Sequence, residues 1–158
     1  MDDRPCEIAF DDVRVPVANL IGAEGDGFKI AQHWITIGRI RHGAGALGVM
    51  ERCLKMSATY AQQRKTFGRP LADRQAIQWP MVDIYADLQT IRPLVYGTAA
   101  KYDAGEDIRW DSYLCKYLGD RKGYEAANRC LQIFGGMGLT TDLPIEKLWR
   151  DMRSMMIT

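Results

Sequence analysis

The chain has 158 residues, 47% of them apolar and 26% charged, with 21 basic against 20 acidic side chains and a net charge of +1. That is the make-up of one globular domain with a sizeable core. It lacks the concentrated positive charge that nucleic acid or an anionic membrane surface needs. No apolar run approaches the ~18–20 residues of a membrane span.

Met1-Asp2-Asp3-Arg4 has no apolar stretch behind it to make a secretory signal. Ile8, Phe10, Val13, Val15, Val17 and Leu20 are spaced largely by two, the period of a strand. Pro16 would interrupt a central strand, so residues 7–21 read as an edge strand and loop. A lone strand leaves its backbone groups unpaired, which gives the expectation that this front end was excised from something larger. Gly22–Gly27 then turns into a helix from about 27 to 64, ~55 Å long at 1.5 Å per residue. Leu47, Met50, Leu54 and Ala58 recur along it every three or four residues. Its glycines (Gly38, Gly43, Gly45, Gly48) permit close approach of another helix or a ligand.

Asp73 offers an N-cap for a second helix, along which Ile77, Met81, Ile84, Leu88, Ile91 and Val95 form a 4-3-4-3-4 seam. Pro80 and Pro93 predict a kink, and Gly105 closes the segment. A third helix starts near Asp111 or Ser112, carries Leu114, Leu118, Ala127, Leu131 and Phe134, and ends at Gly135-Gly136. A short fourth begins near Asp142, with Pro144 in its first turn. The predicted fold is all-α: an up-down antiparallel bundle of the four-helix type, with a short N-terminal extended or strand segment.

Three stretches carry candidate chemistry. Gln63-Arg64-Lys65-Thr66-Phe67-Gly68-Arg69-Pro70 reads as a helix stop, with basic residues on the dipole and a left-handed Gly68. The other reading, which spacing alone favours less, is an anion corner beside an aromatic face. Gln132-Ile133-Phe134-Gly135-Gly136-Met137-Gly138 is either a tight helix-to-loop transition or a place where backbone comes close to a phosphate or an adenine edge. Arg150 and Asp151, in Trp149-Arg150-Asp151-Met152-Arg153, read as structural ion pairs with other helices. His33 and His42 have no metal-ligand or nucleophile spacing around them and read as structural or solvent-facing. Trp34, Trp79, Trp110 and Trp149 read as packing residues, and Met155-Met156 as gap-filling core. Cys6, Cys53, Cys115 and Cys130 are widely separated, which predicts reduced thiols in an intracellular protein without zinc or disulfides.

The order FDDVRVP–NLIG–GF, GRI, GALG, YAQQRKTFGRP, QAIQ, QIFGGMGL and PIEKLWRD closely resembles the acyl-CoA dehydrogenases, from about Ile8 to Ile157. The resemblance implies that residues 1–25 are the tail of a middle β domain with its connecting loop, and 26–158 the C-terminal helical domain. It implies FAD bound across a subunit interface of a homodimer or homotetramer. Arg64 and Thr66 would contact the pyrophosphate of the neighbouring subunit's FAD, and Phe67 would pack near the cofactor. Arg74 and Gln75 come next along the flavin nucleotide. Gln132, Ile133, Phe134, Gly135 and Gly136 would lie against its ADP portion. Thr36 and Arg39 fall on the substrate-facing turn, where position 36 is often acidic in the family, so the usual CoA contact is altered here.

The implied reaction is α,β-dehydrogenation of an acyl-CoA, with an electron-transfer flavoprotein as redox partner, in bacterial cytoplasm or mitochondrial matrix. Its catalytic base, a Glu in most members, would come directly after Thr158. A minority of members place the base at the position of Gly38, which has no carboxylate. The 158 residues by themselves are therefore expected to be inactive. A related flavoprotein oxidase or monooxygenase, or a non-catalytic helical oligomerisation subunit, are the alternatives.

Overall fold

The computed structural model describes residues 6–158, so the reading of Met1–Arg4 as no secretory signal lies outside the described residues. Helix α1 spans Gly27–Gln63, α2 Gln75–Asp103, α3 Arg109–Phe134 and α4 Ile145–Met155. Between α1 and α2 a two-stranded antiparallel hairpin pairs β1 (Lys65–Thr66) with β2 (Arg69–Pro70), followed by a 3-10 turn at Leu71–Asp73. A second 3-10 segment, Gly135–Leu139, links α3 to α4. Among the described residues no helix is long and apolar enough to cross a membrane.

The bundle is the expected up-down one. Glu51 on α1 pairs with Arg92 on α2, and Gly43 lies against Val95, so α2 runs back along α1. Tyr60 stacks on Phe134 at 4.1 Å while Gly43 meets Cys115 and Gly119, so α1 and α3 run parallel. Met152 of α4 sits on Gly123, and Trp149 Nε1 donates to Asn128 Oδ1 at 3.1 Å, which makes α4 antiparallel to α3.

The apolar seam of α2 is spent inside this chain. Ile84, Leu88, Ile91 and Val95 form one cluster with Leu47 and Met50 of α1, and Ile77 and Met81 pack beside a second. It is therefore not the exposed oligomer seam that the heptad spacing invites. The second cluster joins Ala46, Cys53, Ala127, Cys130, Ile133, Phe134, Ile145 and Met152. α1 and α3 approach closely because small residues face each other. A Cβ on Gly119 would lie 2.8 Å from Gly43 Cα, and one on Gly43 2.8 Å from Val95 Cγ2. The leucine pattern of α3 understates this contact: Leu114 is exposed, whereas Cys115, Gly119, Gly123, Ala126 and Ala127 are buried.

Several local expectations are corrected. Residues 7–21 form no strand: apart from a 3-10 turn at Val17–Asn19 they are irregular, with Asp12 at φ +46°. Their alternation gives no burial, for Ile8, Phe10, Val13, Val15, Val17 and Leu20 are all exposed. The N-cap of α2 is Arg74 rather than Asp73, which the 3-10 turn holds one residue short. Both Pro80 and Pro93 lie inside that helix. α3 starts at Arg109 and α4 at Ile145. Gly105, at φ +77°, ends α2 as expected, its amide bonding Tyr102 O and that of Glu106 bonding Lys101 O, the paired bonds of a Schellman cap. Trp34, Trp79 and Trp110 are exposed rather than packed, and Met156 is exposed rather than core. Arg150 pairs with Glu146 and Asp151 with Lys147 inside α4, where i,i+4 spacing brings them together.

Cys53, Cys115 and Cys130 are buried and Cys6 is exposed, with no disulfide among them. A hydrogen bond to Cys130, reinforced by burial, pushes the Cys53 thiol up, and burial raises that of Cys115. Only a thiolate in contact with solvent reacts. Native protein is expected to take up one equivalent of a maleimide rapidly, at Cys6, and three more only on denaturation. Mass spectrometry of the time course checks this, and fast labelling of two or more sites would contradict the burial.

Candidate functional site

The basic stretch after α1 is a projecting hairpin, not a simple helix stop. Arg64 is extended (ψ 120°), with its amide still bonded to Tyr60 O at 2.8 Å. The turn between β1 and β2 has positive φ at both central residues, Phe67 (+50°) and Gly68 (+80°), as two-residue hairpins demand. For glycine this conformation is cheap, but for an aromatic residue it is strained. Phe67 is 97% exposed, and its ring has the Arg74 guanidinium 5.7 Å from its centroid. Arg74 Nη2 donates to Thr66 O at 2.7 Å and to Thr66 Oγ1 at 3.1 Å, bracing the hairpin from the start of α2. Its Nε is buried without a partner. Arg64, Lys65 and Arg69 are exposed, and none has an acidic partner among the described residues. Gln75 is exposed on the first turn of α2.

The glycine bend lies at the same end of the bundle. Phe134 stacks on Tyr60, one helical turn before Arg64, so the two stretches that were ambiguous apart are neighbours. The residues of the bend do different work. Ile133 and Phe134 are buried in the core, so their side chains fix the bend rather than face a ligand. Gly135 adopts φ +59°, ψ −139°, a conformation essentially reserved for glycine. Its amide is taken by Gln132 O and Leu131 O, so it is no free donor. A Cβ on Gly138 would lie 2.9 Å from Leu131 O. Gly136 has neither constraint: φ is not positive, it is exposed, and a Cβ there would meet nothing within 4 Å. Gln132 is exposed beside it.

A second region lies between the front half of α1 and the end of α4. A cavity of about 320 Å³ is lined by Trp34, Ile35, Gly38, Arg39, Arg41, His42, Lys116 and Thr158. A neighbouring one of about 620 Å³ is lined by Arg39, Tyr113, Lys116, Tyr117, Asp120, Arg121 and Met156. Arg39 borders both, its guanidinium 4.5 Å from the Tyr113 ring centroid. Thr36 Oγ1 donates to Gln32 O at 2.9 Å, so that hydroxyl is committed to its own helix.

Residues 25–158 match the acyl-CoA dehydrogenase C-terminal domain. The chain belongs to the acyl-CoA dehydrogenase family. It is 40% identical over 147 residues to an acryloyl-CoA reductase (NADH) of Anaerotignum propionicum, a match spanning 93% of this chain and 37% of that protein. It is 39% identical over 147 residues to an acyl-CoA dehydrogenase of Bacillus subtilis, across 93% of this chain and 39% of that one. The butyryl-CoA dehydrogenase structure from Megasphaera elsdenii superposes with a TM-score of 0.89 at 35% identity, covering 94% of this chain and 39% of that chain. The chain thus spans under two-fifths of the length of these relatives and corresponds to the C-terminal domain of a flavin-dependent enzyme family.

Among acyl-CoA dehydrogenase features, the structure brings Gly38, Arg39 and Thr158 to one cavity, although Gly38 and Thr158 stand 120 residues apart in the sequence. It also holds a group that spacing did not single out. Asp120, 3% exposed, accepts from Lys116 Nζ at 2.6 Å and sits 3.0 Å from His42 Nδ1. His42 therefore faces a buried carboxylate, not the solvent beside Arg39 and Arg41. The available signal was Lys116 and Asp120 at i,i+4 on α3, with Asp120 next to Gly119.

Proposed function

We propose that this chain forms the C-terminal part of a flavin-dependent acyl-CoA oxidoreductase, acting on the Cα–Cβ bond of an acyl-CoA thioester. The hairpin corner and the glycine bend would hold the nucleotide of FAD, and the cavity beside Gly38 would take the acyl end of the substrate. The observation that carries the reading is Phe67, a strained aromatic residue displayed on an acid-free basic turn. Strain and exposure together are unfavourable for folding alone and suit a ligand surface.

The residues present fit an FAD nucleotide. Arg64 supplies a planar bidentate donor for a phosphate, with Lys65 and Arg69 beside it. Thr66 Oγ accepts from Arg74 and keeps its own proton to donate. Gly136 lets the backbone approach without a side chain in the way. Bound there, FAD would supply the hydride acceptor or donor for the Cα–Cβ bond. Arg74 and Gln75 belong to the same surface, Arg74 chiefly by holding the hairpin. A Glu directly after Thr158 would act as base on the α proton. Desolvation by the acyl chain suits it to that task by raising its pKa. The names of the relatives span reduction and dehydrogenation, so the class proposed is Cα–Cβ oxidoreduction, with dehydrogenation as the reading and an electron-transfer flavoprotein as partner.

The outer face of α2 exposes Trp79, Val82, Tyr85 and Tyr96. That apolar surface, rather than the buried seam, supports assembly into a homodimer or homotetramer. Residues 1–25 would belong with a preceding β domain, which would cover their exposed apolar side chains. A ligand that binds only the native state raises stability by about 2.7 kcal/mol at a hundredfold excess over its Kd. FAD or ADP is therefore expected to raise the melting temperature of this chain by about 5–10 °C near saturation. No shift with either at millimolar concentration would favour the oligomerisation-subunit reading instead.

A further inference from the structure

Three helices meet at one ammonium group. Lys116 Nζ on α3 donates to Asp120 Oδ2 at 2.6 Å and to Met155 O at 2.8 Å, while His42 Nδ1 on α1 lies 3.0 Å from the same carboxylate oxygen. Met155 is the last residue of α4. The amides beyond it bond elsewhere, Met156 to Met152 O and both Ile157 and Thr158 to Ser154 O. Among the described residues the Met155 carbonyl accepts from Lys116 and, at 3.3 Å, from the Thr158 hydroxyl. A cation on the orphan carbonyls of a helix end complements its dipole and fixes its last turn. Asp120 is in turn hard to explain by stability. Its Oδ1 is buried without a partner, and a half-satisfied buried carboxylate is worse for folding than an apolar side chain.

We propose that Lys116 is a positioning residue which, oriented by Asp120 and His42, anchors the end of α4 so that the base proposed for the position after Thr158 would be delivered into the cavity beside Gly38. This rests on the proposed acyl-CoA chemistry. Lys116, His42, Gly38 and Thr158 all line that cavity, so the anchor and its cargo share one wall. A lysine stem is flexible and reaches a fixed place only if something else fixes its head. Asp120 does that from one turn further along α3, and His42 ties the carboxylate to the helix that carries Gly38. Misplacing a reacting group by about 1 Å costs on the order of a hundredfold in rate.

Two measurements test this. In this chain, Lys116→Met is expected to speed amide hydrogen exchange at Met156–Thr158 about tenfold by local opening, with the core amides of α1 unchanged. Unchanged exchange at Met156–Thr158 would overturn the anchor. In the longer enzyme, the same substitution is expected to lower kcat about 10–100-fold with KM within about twofold. The loss should shrink to below about threefold when the base is moved onto α1 by Gly38→Glu and the residue after Thr158 is made neutral, because α1 does not hang on Lys116. Equal losses in both enzymes would overturn positioning. If neither parent enzyme turns over an acyl-CoA, the proposed function fails, while the exchange measurement still decides the anchor. Should Lys116→Met not fold, Asp120→Ala removes the oxygens that hold the ammonium and is read by the same exchange at Met156–Thr158.

Discussion

Gly119→Ala is expected to destabilise the bundle by about 3 kcal/mol and to lower its melting temperature by about 10 °C, although it adds a single methyl group. The added carbon would lie 2.8 Å from the Cα of Gly43, and backbone packed against backbone cannot step aside. Gly123→Ala provides the contrast. Its Cβ would meet Met152 Cε at 2.5 Å and Ala46 Cβ at 3.0 Å, but the first of these is the free end of a flexible side chain. The cost there is expected to be about 1 kcal/mol, most of it relieved by a new Met152 rotamer. Thermal and denaturant unfolding of the two variants checks the order. Equal small losses would mean that α1 and α3 can separate at no cost, and that the parallel crossing does not organise the fold.

That contrast also explains which parts of the fold were legible beforehand. The ends of α2 and α3 and the up-down order follow from apolar spacing and from Gly105 and Gly135, because those signals act within a few residues, whereas the starts of α2, α3 and α4 did not. The α2 seam was legible as a seam, but its partner was not. Period alone says that Ile84, Leu88, Ile91 and Val95 must be covered, and leaves open whether Leu47 and Met50 or a second copy covers them. The α1–α3 contact was half visible in Gly43, Gly45 and Gly48, yet only Gly43 is buried, since identity does not say which glycine faces a neighbour. The strand expected at residues 7–21 came from period two, a pattern that an irregular segment without a partner strand can also carry.

The site divides along the same line. Arg64, Thr66 and Phe67 were singled out together because they are adjacent in sequence, Arg74 was added only by the resemblance, and the hairpin holds Thr66, Phe67 and Arg74 in contact. That Gly136 is the one glycine of its bend without a structural duty needed φ angles and Cβ clearances. His42, Asp120 and Lys116 could not be assembled from spacing, since their geometry depends on how α1 crosses α3.

Replacement of Arg64 separates the functional reading from the fold more sharply than any other change. Its side chain is exposed with no ionic partner among the described residues, and its structural bonds are backbone ones, from its amide to Tyr60 O and from Leu71 N to its carbonyl. Arg64→Ala keeps both, so the melting temperature of the chain is expected to move by less than about 2 °C, as for other surface changes. Nucleotide binding should respond quite differently. A charge-assisted bond from a guanidinium to a phosphate contributes about 1.5–3 kcal/mol, so FAD affinity in the longer protein is expected to fall about 10–100-fold. Arg64→Lys should recover only part of it, because an ammonium cannot form the planar two-bond contact. The dependence on salt should also weaken, as one fewer cation meets the anion. Arg74→Ala would not be equivalent, since losing its bonds to Thr66 loosens the hairpin itself. Arg64→Ala protein that folds normally and retains its full complement of FAD would remove the phosphate from this corner, leaving the strained display of Phe67 to be explained by contact with another protein surface.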